Sequence, residues 1–205
     1  MGLARLPGPM LLITDRHQTQ KPLDEIVHAA LTGGCRWVSV REKDLSDDDR
    51  MHLVRTLLPL VHRFGGTLLV HGDARAGAYA DGVHLPAGAS VREARGHVGN
   101  DACIGLSCHT PHDVGQAEGA DYVTLGPIAP TKSKPGYLPT LTFRQLHEAT
   151  ILGIPVFVLG GVDETNVGQI RNTNAAGFAM MGSVMRSEDP EGLVRSMLEA
   201  WNAGR

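Results

Sequence analysis

The chain has 205 residues, the length of one domain, with 42% apolar and 20% charged residues, the balance of a globular protein with a real core. A formal charge of −3 and a pI near 6.3 exclude the basic surface that nucleic acid or an anionic membrane would call for. The longest uncharged apolar run, residues 151–162, contains Pro155 and three glycines and is too short to span a bilayer, which takes about 20 residues.

Residues 10–14, MLLIT, read as a first strand that meets Asp15 and Arg16 at once. The short apolar run lacks a small-residue cleavage site, so no secretory signal is expected. A helix follows, opened by Pro22 and closed by Gly33–Gly34. The next strand is RWVSVR, residues 36–41, followed by a helix with Ser46 as N-cap, three aspartates in its first turn and Gly65–Gly66 at its end. TLLVH (67–71) and GVHLP (82–86) are strands, and residues 73–80 between them leave room for about two turns of helix. CIGLS (103–107) precedes a helix capped by Thr110 with Pro111 at its first position. YVTLG (122–126), PVFVLG (155–160) and GFAMMG (177–182) complete the strands, all of which read as apolar on both faces, as buried parallel strands should be. A last helix carries Leu193, Met197 and Trp201 four residues apart.

Eight strands, each followed by a helix or a helix-length segment, predict a single (β/α)8 barrel, an α/β fold with residues 1–205 as one domain. An open doubly wound sheet is the alternative, but it favours a glycine-rich first turn, and TDRHQTQ has no glycine. Cys35, Cys103 and Cys108 form no paired motif and read as reduced thiols of a cytoplasmic protein.

Barrel chemistry collects where strands end. That rule gathers Arg41, Lys43, His71, Asp73, His84, Ser107, Gly160–Gly161 and Gly182–Ser183 on one rim. The loop LGPIAPTKSKPGY (125–137) joins them there. It supplies two hydroxyls, Thr131 and Ser133, and the ammonium of Lys134, while Pro127, Pro130 and Pro135 limit its freedom. Cations, hydroxyls and glycine turns together point to phosphate groups. Each also has a plainer reading: a solvated turn for the loop, relief of crowding for the glycines, and a satisfied structural histidine for His84 inside its apolar strand. His109 and His112, three apart at a helix start, read as part of that helix rather than as metal ligands.

The segments LLITDR (11–16), VSVREK (38–43), ADGVHLP (80–86), IGLSCHT (104–110), ADYVTLGPIAPTKSK (120–134) and IPVFVLGGV (154–162) resemble, in order and spacing, the thiamine-phosphate synthase/thiazole tautomerase superfamily over nearly the whole chain. The resemblance implies a barrel enzyme of thiamine biosynthesis, a transferase. It joins a pyrimidine methyl diphosphate to a thiazole phosphate and releases pyrophosphate, with Mg2+ as cofactor. It implies Lys134, Arg41 and Lys43 as the residues that neutralise the leaving group. Substrate contacts would come from Ser39, His71, His84, Ser107, Thr131, Ser133, Gly161, Gly182 and Ser183, and Asp73 would be the metal ligand.

The match has departures. Ser39 stands where the synthase pattern has Gln, and His71 where it has Asn. Pro86–Ala87–Gly88–Ala89 offers no second metal carboxylate, and Pro127 stands where the tautomerase branch has a catalytic His. Three functions remain in view: the synthase, a thiazole tautomerase using His71 or His84, and a barrel that binds phosphorylated ligands without turnover. The expected partners are small phosphorylated substrates, with no nucleic acid and no membrane. Apolar residues of the outer helices leave a homodimer open.

Overall fold

A computed structural model describes residues 6–130 and 140–203. Eight parallel strands close into a barrel in sequence order, from β1 to β8 and back to β1. The chain runs through β1 (Met10–Ile13), α1 (Leu23–Thr32), β2 (Trp37–Val40), α2 (Asp47–Arg63), β3 (Thr67–His71), α3 (Ala74–Gly77), β4 (Gly82–Leu85) and α4 (Val91–Val98). It continues with β5 (Cys103–Cys108), α5 (Pro111–Gly115), β6 (Tyr122–Leu125), α6 (Phe143–Thr150), β7 (Val156–Leu159), α7 (Val167–Arg171), β8 (Gly177–Met180), α8 (Gly182–Met185) and α9 (Pro190–Ala203).

The helices start where the sequence places caps. Ser46 Oγ accepts from the Asp49 amide at the head of α2, and Thr110 and Asp113 close a reciprocal capping box on α5. The segment after β3 forms a single turn, α3, shorter than the two turns its length allows. Along each strand alternate side chains face outward and inward. The outward set, including Leu12, Val38, Val40, Val70, Val123, Val158 and Phe178, packs under the helices. On α9, Met197 and Trp201 are buried against that layer, with Leu193 partly buried beside them.

The inward set does not follow the expectation of strands apolar on both faces. In the closed end of the barrel it is apolar: Leu11, Trp37, Leu69, Tyr122 and Phe157 form a separate core with Ile13 and Ala179. Trp37, Tyr122 and Phe157 pack against one another in tilted and edge-to-face contacts, with ring centroids 4.5–5.6 Å apart. Toward the strand C-termini the inward positions become mixed: the polar Ser39, His71, His84, Ser107 and Thr124 stand beside Ile13, Leu159 and Ala179. An interior of this kind is a packed plug beneath and a lined cup above.

Candidate active site

Barrel side chains stack in layers of four drawn from alternate strands. The register of neighbouring strands puts Ser39, His84, Thr124 and Ala179 of the even strands in one layer. The odd strands place Ile13, His71, Ser107 and Leu159 above them. Seven of these eight residues, all but Ser39, line a cavity of about 370 Å3 that opens at the C-terminal end of the barrel. That volume suits a small ligand.

The floor is hydrogen-bonded through His84. Its Nδ1 is 2.7 Å from Tyr122 Oη, and its Nε2 is 3.0 Å from Ser107 Oγ and 3.3 Å from Thr124 Oγ1. His71 stacks on His84 with ring centroids 5.0 Å apart and an interplanar angle of 29°. Burial holds His84 well below the ordinary 6.5 of an imidazole, and the charge of a protonated His71 beside it acts in the same direction. His84 is therefore a neutral imidazole with one N–H. Burial also raises the Tyr122 hydroxyl well above its usual range, so Tyr122 stays a phenol. Ser39 is fully buried in the same layer, and its Oγ has no hydrogen-bond partner among the described residues. It lies below the rim rather than on it.

The wall above the floor carries three cations among the described residues: Arg41, Lys43 and Arg186. A buried carboxylate between the first two sets their placement. Glu42 accepts from Thr14 Oγ1 at 2.7 Å, from the Arg16 amide at 3.1 and 3.2 Å, and from Arg16 Nη1 at 3.1 Å. Thr14 Oγ1 in turn accepts from the Arg41 amide at 2.9 Å. Strand alternation turns Glu42 away from the cavity and Arg41 and Lys43 toward it. Arg16 also forms a two-point ion pair with Asp44, which with His17 holds the Asp44 carboxyl well below the usual carboxylate range.

The structure brings Arg41, Lys43, His71, His84, Ser107, Gly161, Gly182 and Ser183 to one cavity. Gly160 and Gly161 both have left-handed backbones, with φ of 88° and 80°. A Cβ on Gly161 would overlap Ala129, and the Ile128 amide donates to Gly160 O at 3.0 Å. Relief of crowding, the plainer reading, thus accounts for this pair as firmly as amide donation does. Thr131, Ser133 and Lys134 lie outside the described residues. The segment that leads into their loop lines the cavity at Gly126 and Pro127, and the Leu141 amide beyond the loop donates to Pro127 O at 2.8 Å.

Asp73 does not line the cavity. It is the N-cap of α3: Oδ1 accepts from the Arg75 and Ala76 amides at 2.9 and 3.2 Å, and Oδ2 lies 3.5 Å from Arg50. Among the described residues no group of three or more His, Cys, Asp or Glu side chains is placed to hold a metal ion. Residues 131–139 contain none of these residue types. The residues present therefore do not fit a protein-built magnesium site, which would be made of carboxylate oxygens.

Cys108 also lines the cavity, but burial pushes its thiol up to about 12, so it is no nucleophile at neutral pH. Arg186 and Glu42 were not singled out by the sequence. Arg186 lies between the last strand and the last helix that the sequence marks out. Glu42 lies within REK, whose alternation gives away its outward direction but not its burial.

A barrel cup with cations above a polar floor is common to many folds of this class, so the decisive observation is similarity over the chain. The family model described as thiamine monophosphate synthase matches residues 10–184. This chain belongs to that family. It is 35% identical over 196 residues to the thiamine-phosphate synthase of Halorhodospira halophila, covering 92% of this chain and 93% of that protein. With the thiamine-phosphate synthase of Chlorobium luteolum it shares 33% identity over 97% of this chain and 95% of the relative. The thiamine phosphate pyrophosphorylase of Pyrococcus furiosus superposes with a TM-score of 0.85 at 25% identity, covering 95% of this chain and 96% of that structure.

Proposed function

We propose that this member of the thiamine monophosphate synthase family joins a pyrimidine methyl diphosphate to a thiazole phosphate, with release of diphosphate. One observation carries the reading: Arg41 and Lys43 face the same small cavity as the His84–Ser107–Thr124 floor. In the reaction the C–O bond to diphosphate breaks, and the leaving group takes the electron pair. The thiazole nitrogen lone pair then forms the new C–N bond to the methylene carbon. No proton moves in either event, so the site needs charge neutralisation and alignment rather than an acid or base.

Arg41 and Lys43 are placed to meet the diphosphate, with Lys134, Thr131 and Ser133 assigned to the same anions. Ser107, His84 and His71 offer hydrogen bonds and a flat surface to the pyrimidine. Ser39 reaches the same ring only from the layer below. Gly161, Gly182 and Ser183 are assigned the thiazole phosphate. The family resemblance attaches Mg2+ to this chemistry, but Asp73 is engaged as a helix cap, so no step here is routed through a metal.

A second reading, proton transfer on thiazole phosphate, is favoured by the stacked His71–His84 pair on the floor. One assay separates the readings. Purified protein is incubated with both phosphorylated precursors, and with the thiazole phosphate alone. Thiamine phosphate formation, reduced about 100-fold or more in Lys43→Ala, is the expected result. Isomerised thiazole phosphate with no coupling would instead assign the second reading. Binding of both compounds without any product would leave a binding barrel.

A further inference from the structure

We propose that Arg186 is a phosphate-binding residue of this site, and that the chain holds a diphosphate with side-chain cations rather than with a divalent metal. The inference rests on the coupling reaction proposed above, because it is the diphosphate of that substrate that these cations would meet.

A diphosphate brings several negative charges into a cup in whose floor His84 is an uncharged imidazole and Tyr122 a phenol. Something on the wall must offset them. Carboxylates that would hold a divalent cation are not available there. Asp73 caps α3, Glu42 is turned away and satisfied by Thr14 and Arg16, and Asp44 is paired with Arg16 and His17. What the wall does offer is a third described cation, Arg186, on the turn just after α8.

Arg186 is tied to the rest of the cationic wall. Its Nη1 donates to Gln18 Oε1, across 168 residues of sequence. Gln18 Nε2 donates to Asp15 Oδ2 at 2.6 Å, and that same oxygen lies 3.9 Å from Arg41 Nη1. Gln18 and Asp15, from the loop after β1, thus bridge the cation that follows β8 to the cation that follows β2. The bridge fixes Arg186 on the same side of the mouth as Arg41. Among the described residues it uses Nη1 of the Arg186 guanidinium and leaves the Nε/Nη2 edge suited to two-point contact with phosphate oxygens. Asp15 is the carboxylate this bridge brings to Arg41, and its single charge does not balance Arg41, Lys43 and Arg186.

The test is calorimetric titration of inorganic diphosphate into the full chain, once in excess EDTA and once in excess Mg2+. It is repeated for Arg186→Gln, with melting curves to establish that the variant is folded. The wild type is expected to bind in EDTA with an affinity within about threefold of that in Mg2+. Arg186→Gln is expected to lose about tenfold in EDTA and to regain most of that loss in Mg2+, which a merely structural residue would not do. Arg186→Lys, which keeps the charge, should lie between the two.

Wild-type binding that appears only with Mg2+ overturns the inference and leaves the proposed reaction standing. So does an Arg186→Gln variant that binds as the wild type does in EDTA. No binding under either condition removes the anion site itself, and with it the proposed reaction. The wild-type comparison alone decides the metal question if a variant does not fold.

Discussion

His84 is held on three sides by hydroxyls, yet its protonation state is set by what it lacks, which is water. Burial costs the charged form more than the neutral one, so the folded chain keeps it neutral at pH values where an unfolded chain protonates it. Above about pH 6.5 both states are neutral and the group contributes nothing. As pH falls below 6.5 the unfolded state gains a proton that the folded state refuses, and stability declines. The slope from this residue is at most about 1.4 kcal/mol per pH unit. Denaturant titrations at several pH values between 7 and 5 should show the wild type losing stability more steeply than His84→Gln. Equal slopes would mean that His84 is not the buried neutral group described here. Glu42, also buried, is satisfied by four hydrogen bonds from Thr14 and Arg16.

At the scale of elements, β5 and β6 fit together because one gives up a side chain. Gly105 is the register partner of Tyr122, and a Cβ on Gly105 would overlap the Tyr122 ring. The space left by the glycine is what lets the phenol reach His84. Gly105→Ala should therefore cost about 1–3 kcal/mol through overpacking. Combining it with Tyr122→Leu should recover part of the loss, since the second change opens the room the first one fills. A double variant no more stable than the sum of its parts would show that the two positions do not compete.

The strands themselves were legible to within a residue or two, because β-branched apolar runs ending at polar residues are local signals. The expectation of apolar inner faces was not met, since the same period of two serves a plug in one half of a strand and a cup in the other. His84 looks structural in GVHLP and turns out to be both structural and part of the floor. Asp73 illustrates the limit in another way: a carboxylate after a strand reads as a ligand, while its capping bonds to Arg75 and Ala76 depend on the chain turning at once into α3. Arg186 could not be found from the text, because its significance comes from Gln18, far away in sequence and adjacent in space.

For the whole molecule, the closed ring of eight strands ties the site to global stability, since each of the eight strands contributes its C-terminal end or the loop after it to one mouth. A ligand that grips several of those loops should stabilise the fold as a unit. At a diphosphate concentration about 100 times its dissociation constant, linkage gives about 2.7 kcal/mol. For a chain of this size that corresponds to a melting temperature higher by about 5–10 °C. Differential scanning calorimetry with and without diphosphate measures this directly, and no shift at saturating ligand would mean that the anion is not held by the folded mouth. Among the described residues no helix is long and apolar enough to cross a membrane.

Tyr122 belongs to both halves of the interior. Its ring is wedged between Trp37 and Phe157 at the sealed end, while its oxygen touches His84 at the open one. Packing faults in the sealed end would therefore travel as a tilt of one phenol and arrive as a changed orientation of the imidazole that meets the ligand. Selection for tight aromatic stacking at the base and selection for a well-aimed hydrogen bond at the top act, in this chain, on the same side chain.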